Sequence, residues 1–322
     1  MVRVRRAARW LVRVVVSAAI VGYVLVDVDL GDIARALAHV HLGPLLVGSG
    51  LFLLSQALSA YKWSRIGRAL GFEESLVDYA RFYFIGMFFN LFGPSTLGGD
   101  LVRALYLGAG HRRRLAVSSV VFDRASGLAV LVALGALGFL LFPRYRFPPS
   151  LVLGTVALGC ALVSGWWAAP RLVWLLPVTR WTRGLRREVA VDLSPLWGDR
   201  RLLGTVALVS VMFHLSQVAA QYALARAAGA RLPFSYCLIL HPAIAVMTAL
   251  PVSVNGVGVR EGGYLYFLTR LDVDDSIAVT LSLLAFGVTV FGGLLGGLVF
   301  LASGATLPTL RAPASKETGV AA

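Results

Sequence analysis

Two stretches of this chain carry residues that an ordinary membrane helix does not use. PSTLGGDLVR runs from Pro94 to Arg103, and PVSVNGVGVR from Pro251 to Arg260. In each, glycine lies five residues after the proline and arginine nine after it. A hydroxyl residue stands two after the proline (Thr96, Ser253), and a tyrosine follows each arginine (Tyr106, Tyr264). Proline removes a backbone donor, and glycine permits a turn or a close approach. The pattern predicts a broken helix. The freed N–H groups of a half-helix N-terminus suit an anionic headgroup, and arginine suits bidentate contact with phosphate. For the second stretch, a kinked helix with an arginine reaching to the interface is the alternative.

The candidate substrate-binding residues follow from this pattern. The first stretch supplies Asn90, Pro94, Thr96, Gly98, Gly99, Asp100 and Arg103. The second supplies Pro251, Ser253, Asn255, Gly256, Gly258, Arg260 and Glu261, with Arg260 and Glu261 opening the next half-helix. Asp123 and Arg124 join them from VVFDRASGL, several residues into an apolar run. A charge at that depth costs at least a few kcal/mol unless it is paired or wet. Asp123 is expected to pair with Arg103 or Arg260, and Arg124 with Asp100 or Glu261; placement of both at the headgroup level is the alternative. His214, Gln217 and Gln221 recur on one helix face. They read either as hydrogen-bonding glue between helices or as the wall of a polar cavity or a proton relay, which His241 can join. No metal or cofactor motif stands in a suitable context, and no enzymatic activity is expected. Cys160 and Cys237 read as isolated small core residues.

The elements that must position these residues are helices in a bilayer. Hydrophobic types make up 58% of the 322 residues and charged types 14%, which excludes a soluble domain. The net charge of +14 resides mostly in arginines of short loops beside apolar runs. That is the positive-inside pattern rather than a nucleic-acid surface. Six crossings are expected, near 10–26, 44–60, 116–142, 151–168, 202–225 and 277–301. Segments 82–107 and 234–268 are interrupted, the latter around Pro251–Gly263. Loop charge makes the first re-enter from the cytoplasmic side and the second from outside, as in an inverted repeat. Residues 27–41 and the Pro-bounded turn at 143–149 read as outer loops, and 61–81 and 170–201 as cytoplasmic ones. Part of the last, LLPVTRWTRGLRREV, suits the membrane surface. The glycine pairs 292–293 and 296–297 suit close helix packing. The expectation is an all-α polytopic protein of the inner (plasma) membrane with cytoplasmic termini. Residues 1–304 form one integral domain and 305–322 a disordered tail.

NLFGPSTLGGDLVRALYL (90–107), FDRASGL (122–128) and LPVSVNGVGVREGGYLYFL (250–268) resemble the lysylphosphatidylglycerol synthase transmembrane-region family, also called flippase-like integral membrane proteins. The resemblance covers roughly residues 10–300. It implies a polytopic protein, and movement of an aminoacylated phospholipid between leaflets in one branch. In that branch a soluble aminoacyl-transferase domain is attached. The sequence ends near the last crossing, so a stand-alone member is expected. Some stand-alone members are linked to lipid-carried sugars. The expected partner is a membrane lipid with an anionic headgroup, a phospholipid or a polyprenyl-phosphate-linked lipid, and not a nucleic acid. The alternatives are a scaffold for a membrane enzyme, or a transferase acting on a lipid-linked substrate.

Overall fold

The structure, a computed structural model, describes residues 30–92, 97–108, 112–175, 177, 179–249, 253 and 256–304. The expected first crossing and the expected polar tail lie outside the described residues. All regular structure among the described residues is helical. The helices are α1 (Leu30–Ala38), α2 (Leu42–Ala69), α3 (Leu76–Phe92), α4 (Leu97–Leu107), α5 (Arg113–Leu141) and α6 (Pro149–Leu172). They continue as α7 (Arg180–Arg187), α8 (Ser194–Gly198), α9 (Arg200–Ala227), α10 (Phe234–Ala249), α11 (Val259–Leu268) and α12 (Asp275–Ala302). Five of them, α2, α5, α6, α9 and α12, are long and apolar enough to cross a membrane. The chain is a multi-pass membrane protein.

Length separates crossings from half-helices. At 1.5 Å per residue, the 28 residues of α2 reach about 42 Å, beyond a hydrocarbon core of about 30 Å. The 17 residues of α3 reach about 25 Å and the 11 of α4 about 16 Å. Neither crosses alone. Instead α4 folds back along α3. Gly99 sits against Gly86 and Asn90, and the Phe82 and Tyr106 rings stack at 5.2 Å. α11 returns along α10 in the same way, with Gly256 against Thr248, Gly263 against Ile244, and the Tyr236 hydroxyl donating to the Phe267 carbonyl. Both interrupted segments are re-entrant helical hairpins.

The helices recur as long, short, shorter, long: 28, 17, 11 and 29 residues, then 28, 16, 10 and 28. The packing recurs with them. α3 lies on α12 as α10 lies on α5, and each hairpin leans on the long helix that follows it. α2 and α9 pair along their length. Gly48 meets Ala220 and Leu224, whereas Lys62 bonds Ser210, so the two run antiparallel. One half is therefore inverted relative to the other. Two apolar cores result. One surrounds the first hairpin (Trp63, Tyr79, Phe122, Leu196) and one the second (Tyr236, Leu240, Phe267, Leu281). Between them α2 and α9 bury polar residues, among them Gln56, Ser59, Lys62, Ser210, His214 and Gln221.

Several boundaries differ from the sequence expectation. Residues 30–38, read as loop, form α1, whose apolar side puts Ile33 against Val279. α2 continues to Ala69, so Tyr61–Ala69 is helix and not the start of a loop. Its buried face continues unbroken through Lys62, Trp63 and Ile66. α11 starts at Val259, so Arg260 and Glu261 open it as expected, and Glu261 accepts a hydrogen bond from the Gly258 N–H there. The loop at 170–201 contains α7, a π-helical turn at Glu188–Asp192 and α8. Cys237 is buried as expected, but Cys160 is exposed, since α6 turns most of its surface outward.

Glycine sets the closest crossings. A Cβ at Gly296 would stand 1.9 Å from the Phe84 carbonyl oxygen, so α12 and α3 meet backbone to backbone. Gly296→Val is expected to destabilise the protein by at least the 1–3 kcal/mol typical of overpacking. Gly287→Ala, with nothing within 4 Å, is expected to have little effect. Thermal unfolding of the two variants in detergent checks this; equal midpoints would contradict the packing described.

Candidate functional site

The first hairpin meets α2 and α5 in a largely buried ion cluster. Asp123, on α5, is 2% exposed and is contacted by two cations. The Lys62 ammonium lies 3.0 Å from its Oδ1 and also donates to the Asp123 carbonyl oxygen at 3.0 Å. Arg103 Nη2 donates to Oδ2 at 3.0 Å. Arg103, on α4, also lies 3.2 Å from Asp100. Asp100 in turn accepts a bidentate pair from Arg124, Nε at 2.9 Å and Nη2 at 2.7 Å. The charges thus alternate from Lys62 to Asp123, Arg103, Asp100 and Arg124. Three cations share two carboxylates, which leaves one positive charge in excess.

Local sequence dictates this arrangement. Asp123 and Arg124 are adjacent on a helix, so they face directions about 100° apart and reach different partners. Asp100 and Arg103 are three apart on α4 and share a face. The α4 N-terminus is fixed by Asn90, whose Oδ1 accepts from the Gly99 N–H at 2.7 Å. Gly99 is obligatory there, because a Cβ would stand 1.8 Å from the Gly86 carbonyl oxygen. The Arg103 guanidinium lies between aromatic faces, 4.9 Å from the Trp63 ring and 5.1 Å from Tyr83. Trp63 is held by its own donation to Ser119 at 3.0 Å. Arg103 is 1% exposed, and its Nη1 is buried without a hydrogen-bond acceptor.

A polar path leads from this cluster toward the second hairpin. Lys62 also donates to Ser210 on α9 at 3.3 Å. One turn later on α9, the His214 ring Nε2 lies 3.0 Å from the Gly127 carbonyl oxygen, and the His241 ring lies 5.9 Å from that of His214. His214 Nδ1, His241 Nε2 and Gln221 Oε1 are buried without a hydrogen-bond partner. Gln221 donates to the Tyr264 hydroxyl on α11 at 3.2 Å. Gln217 is partly buried on the same stretch of α9 and bonds no described side chain. Orphaned polar groups at such depth are costly unless water or a ligand meets them.

The second hairpin has its own charge pair. Glu261 Oε1 accepts from Arg260 Nη2 at 2.6 Å and from Ser282 at 3.1 Å, and the guanidinium lies 4.5 Å from the Phe286 ring. Arg260 and Glu261 are not bonded to Asp123 or Arg124, so those open pairings resolve to Asp123 with Arg103 and Arg124 with Asp100. The two arginines that match in sequence are not structural equivalents. Arg103 is the seventh residue of α4 and Arg260 the second of α11. The reason is elbow length: four residues separate α3 from α4, whereas nine separate α10 from α11. Gly256 and Gly258 in that longer elbow have φ of 75° and 85°, which a side chain would oppose. Ser253 is buried there with its hydroxyl unpartnered, and Gly98 is partly buried at the start of α4. Pro94, Thr96, Pro251 and Asn255 lie outside the described residues.

Sequence reasoning missed Lys62, which was counted with a basic loop. The available signal was the helical spacing of Ser55, Ser59, Lys62 and Ile66, all on the buried face.

The shared anion gives an unequal pair of variants. Asp123→Asn leaves two buried cations short of a partner and is expected to cost about 3–5 kcal/mol. Lys62→Met leaves Asp123 paired with Arg103 and is expected to cost clearly less. Unfolding midpoints in one detergent decide it; equal losses would contradict a carboxylate shared by both cations.

Comparison with known proteins agrees with this architecture. No curated protein and no solved structure matches the chain. The model of one family, described as the lysylphosphatidylglycerol synthase TM region, matches residues 10–297. Those residues include both inverted hairpins and every charge of the buried cluster, and the chain belongs to that family.

Proposed function

We propose that the protein moves an anionic membrane lipid, a phospholipid or a polyprenyl-phosphate-linked lipid, between leaflets. The observation that carries this reading is the buried Arg103, whose Nη1 has no acceptor, in a cluster of three cations and two carboxylates that the exposed Arg124 opens to the surface. An isolated buried cation is costly in a bilayer. A phosphate offers what the cluster lacks: one negative charge and acceptors with the geometry of a guanidinium fork. Family membership supports a role in lipid metabolism or transport.

The inverted halves supply the mechanical side. In transporters with inverted repeats, substrate sites lie near the midplane at broken helices, and one half rocks against the other. Here the polar residues of α2 and α9 lie between two apolar cores, where such rocking exposes them alternately to each side. Asp123, Asp100 and Glu261 hold the cations while the site is empty. Arg124, whose side chain is 46% exposed, provides the accessible edge of the cluster. His214 and His241 line the same path and are suited to couple movement to protons.

Reconstitution in vesicles with a fluorescent anionic lipid tests the reading. Wild type is expected to equilibrate the lipid between leaflets. Arg103→Ala combined with Arg260→Ala is expected to slow this about tenfold or more, the loss of a charge-assisted contact. Arg124→Ala, at the exposed edge, is expected to slow it less while melting like wild type. Unchanged movement with the double variant, folded and inserted, would overturn the proposal in favour of a scaffold for a membrane enzyme.

A further inference from the structure

Where α5 passes to α6 and α11 to α12, two short 3₁₀ turns lie side by side, Pro143–Tyr145 and Thr269–Leu271. Each runs into a residue with left-handed backbone, Arg146 (φ 48°) and Asp272 (φ 52°). These are the only non-glycine residues with positive φ among the described residues. Side-chain-bearing residues rarely adopt that conformation, and it concentrates at sites that use it. Between the turns lies a cavity of about 310 Å³, lined by Arg144, Tyr145, Arg146, Tyr236, Arg270 and Leu271.

Three arginines converge on this cavity, and no described carboxylate is ion-paired to any of them. Their partners are neutral. Arg144 Nη2 donates to Ser235 at 2.9 Å and to the Tyr145 hydroxyl at 3.2 Å. Arg270 Nη2 donates to the Tyr266 hydroxyl at 2.9 Å and lies 4.7 Å from that ring. Such contacts orient a guanidinium without neutralising it. Beneath them the Tyr145 and Tyr236 rings pack edge to face at 4.8 Å, a rigid floor. These arginines stand at the end of α5 remote from Arg112–Arg114, the side where the acidic loops at 27–41 and 271–275 are expected outside.

We propose that this cavity is a binding site for a phosphate ester at the membrane surface, separate from the ion cluster of the first hairpin. Planar guanidinium forks match phosphate oxygens bidentately, and the aromatic floor accepts the organic portion. The phosphate ester belongs either to a lipid headgroup or to a soluble molecule. The inference does not depend on lipid movement through the bundle.

The test uses the full chain at low ionic strength, with two probes. Inorganic phosphate is titrated against protein in neutral detergent. Phosphatidic acid is offered in phosphatidylcholine nanodiscs, and its enrichment around the protein is measured. Both are repeated with Arg146→Gln and with Arg146→Gln plus Arg270→Gln. Arg146 is exposed and its side chain bonds no described residue, so the single variant is expected to melt like wild type without ligand. Binding of phosphate that weakens about tenfold for each arginine removed supports the site with a soluble source. Enrichment of phosphatidic acid alone, lost in the variants, supports it with a lipid source. Failure of both probes to distinguish wild type from the double variant overturns the proposal. Loss of lipid movement in vesicles without loss of either binding leaves the surface site intact, so the two readings fail separately.

Discussion

Asp123 is the residue on which the first half of the structure turns. It sits 2% exposed in a membrane-spanning helix and holds Lys62 from α2 and Arg103 from α4. Each of those cations alone would be costly to bury. Together with Asp123 they tie a crossing, a hairpin and a second crossing into one unit. The hairpin needs such a tie. Its helices are too short to span, so their broken backbone persists only where protein or water meets it. The Gly86–Gly99 crossing and the Asn90 cap close the hairpin from the other side.

The second half solves the same problem with other chemistry. Its charged residues join α12, through Arg260, Glu261 and Ser282, and a neutral bond from Gln221 to Tyr264 ties the hairpin to α9. The halves agree in helix order, helix length and packing partners, and differ in where their charges lie. A strictly symmetric pair would present identical sites to each membrane face. This pair gathers three cations and two carboxylates around the first hairpin and a balanced Arg–Glu pair in the second.

Much of the scaffold was legible in the sequence. Apolar length marked six crossings, five of which are described helices long enough to span, and the proline and glycine of NLFGPSTLGGD and PVSVNGVGV marked both breaks. Loop charge gave the inversion, which the antiparallel α2 and α9 bear out. The charge pairings were not legible, because Asp100, Arg103, Asp123 and Arg124 lie on two segments whose approach is a tertiary fact. Residue spacing gave Arg103 and Arg260 the same address, yet an elbow five residues longer moves Arg260 to the start of its helix. Lys62 was hidden by composition. A lysine near several arginines reads as loop, and only the burial of its helical neighbours shows that it is core.

The central claim is that the buried cluster of the first hairpin receives an anionic headgroup. Mass spectrometry of lipids retained by gently purified protein tests it most directly, with wild type compared to Arg103→Ala plus Arg260→Ala. The account predicts one class of phosphate-bearing lipid enriched over the bulk membrane in the wild type and lost from the folded variant. Identical retained lipids in the two proteins would contradict it.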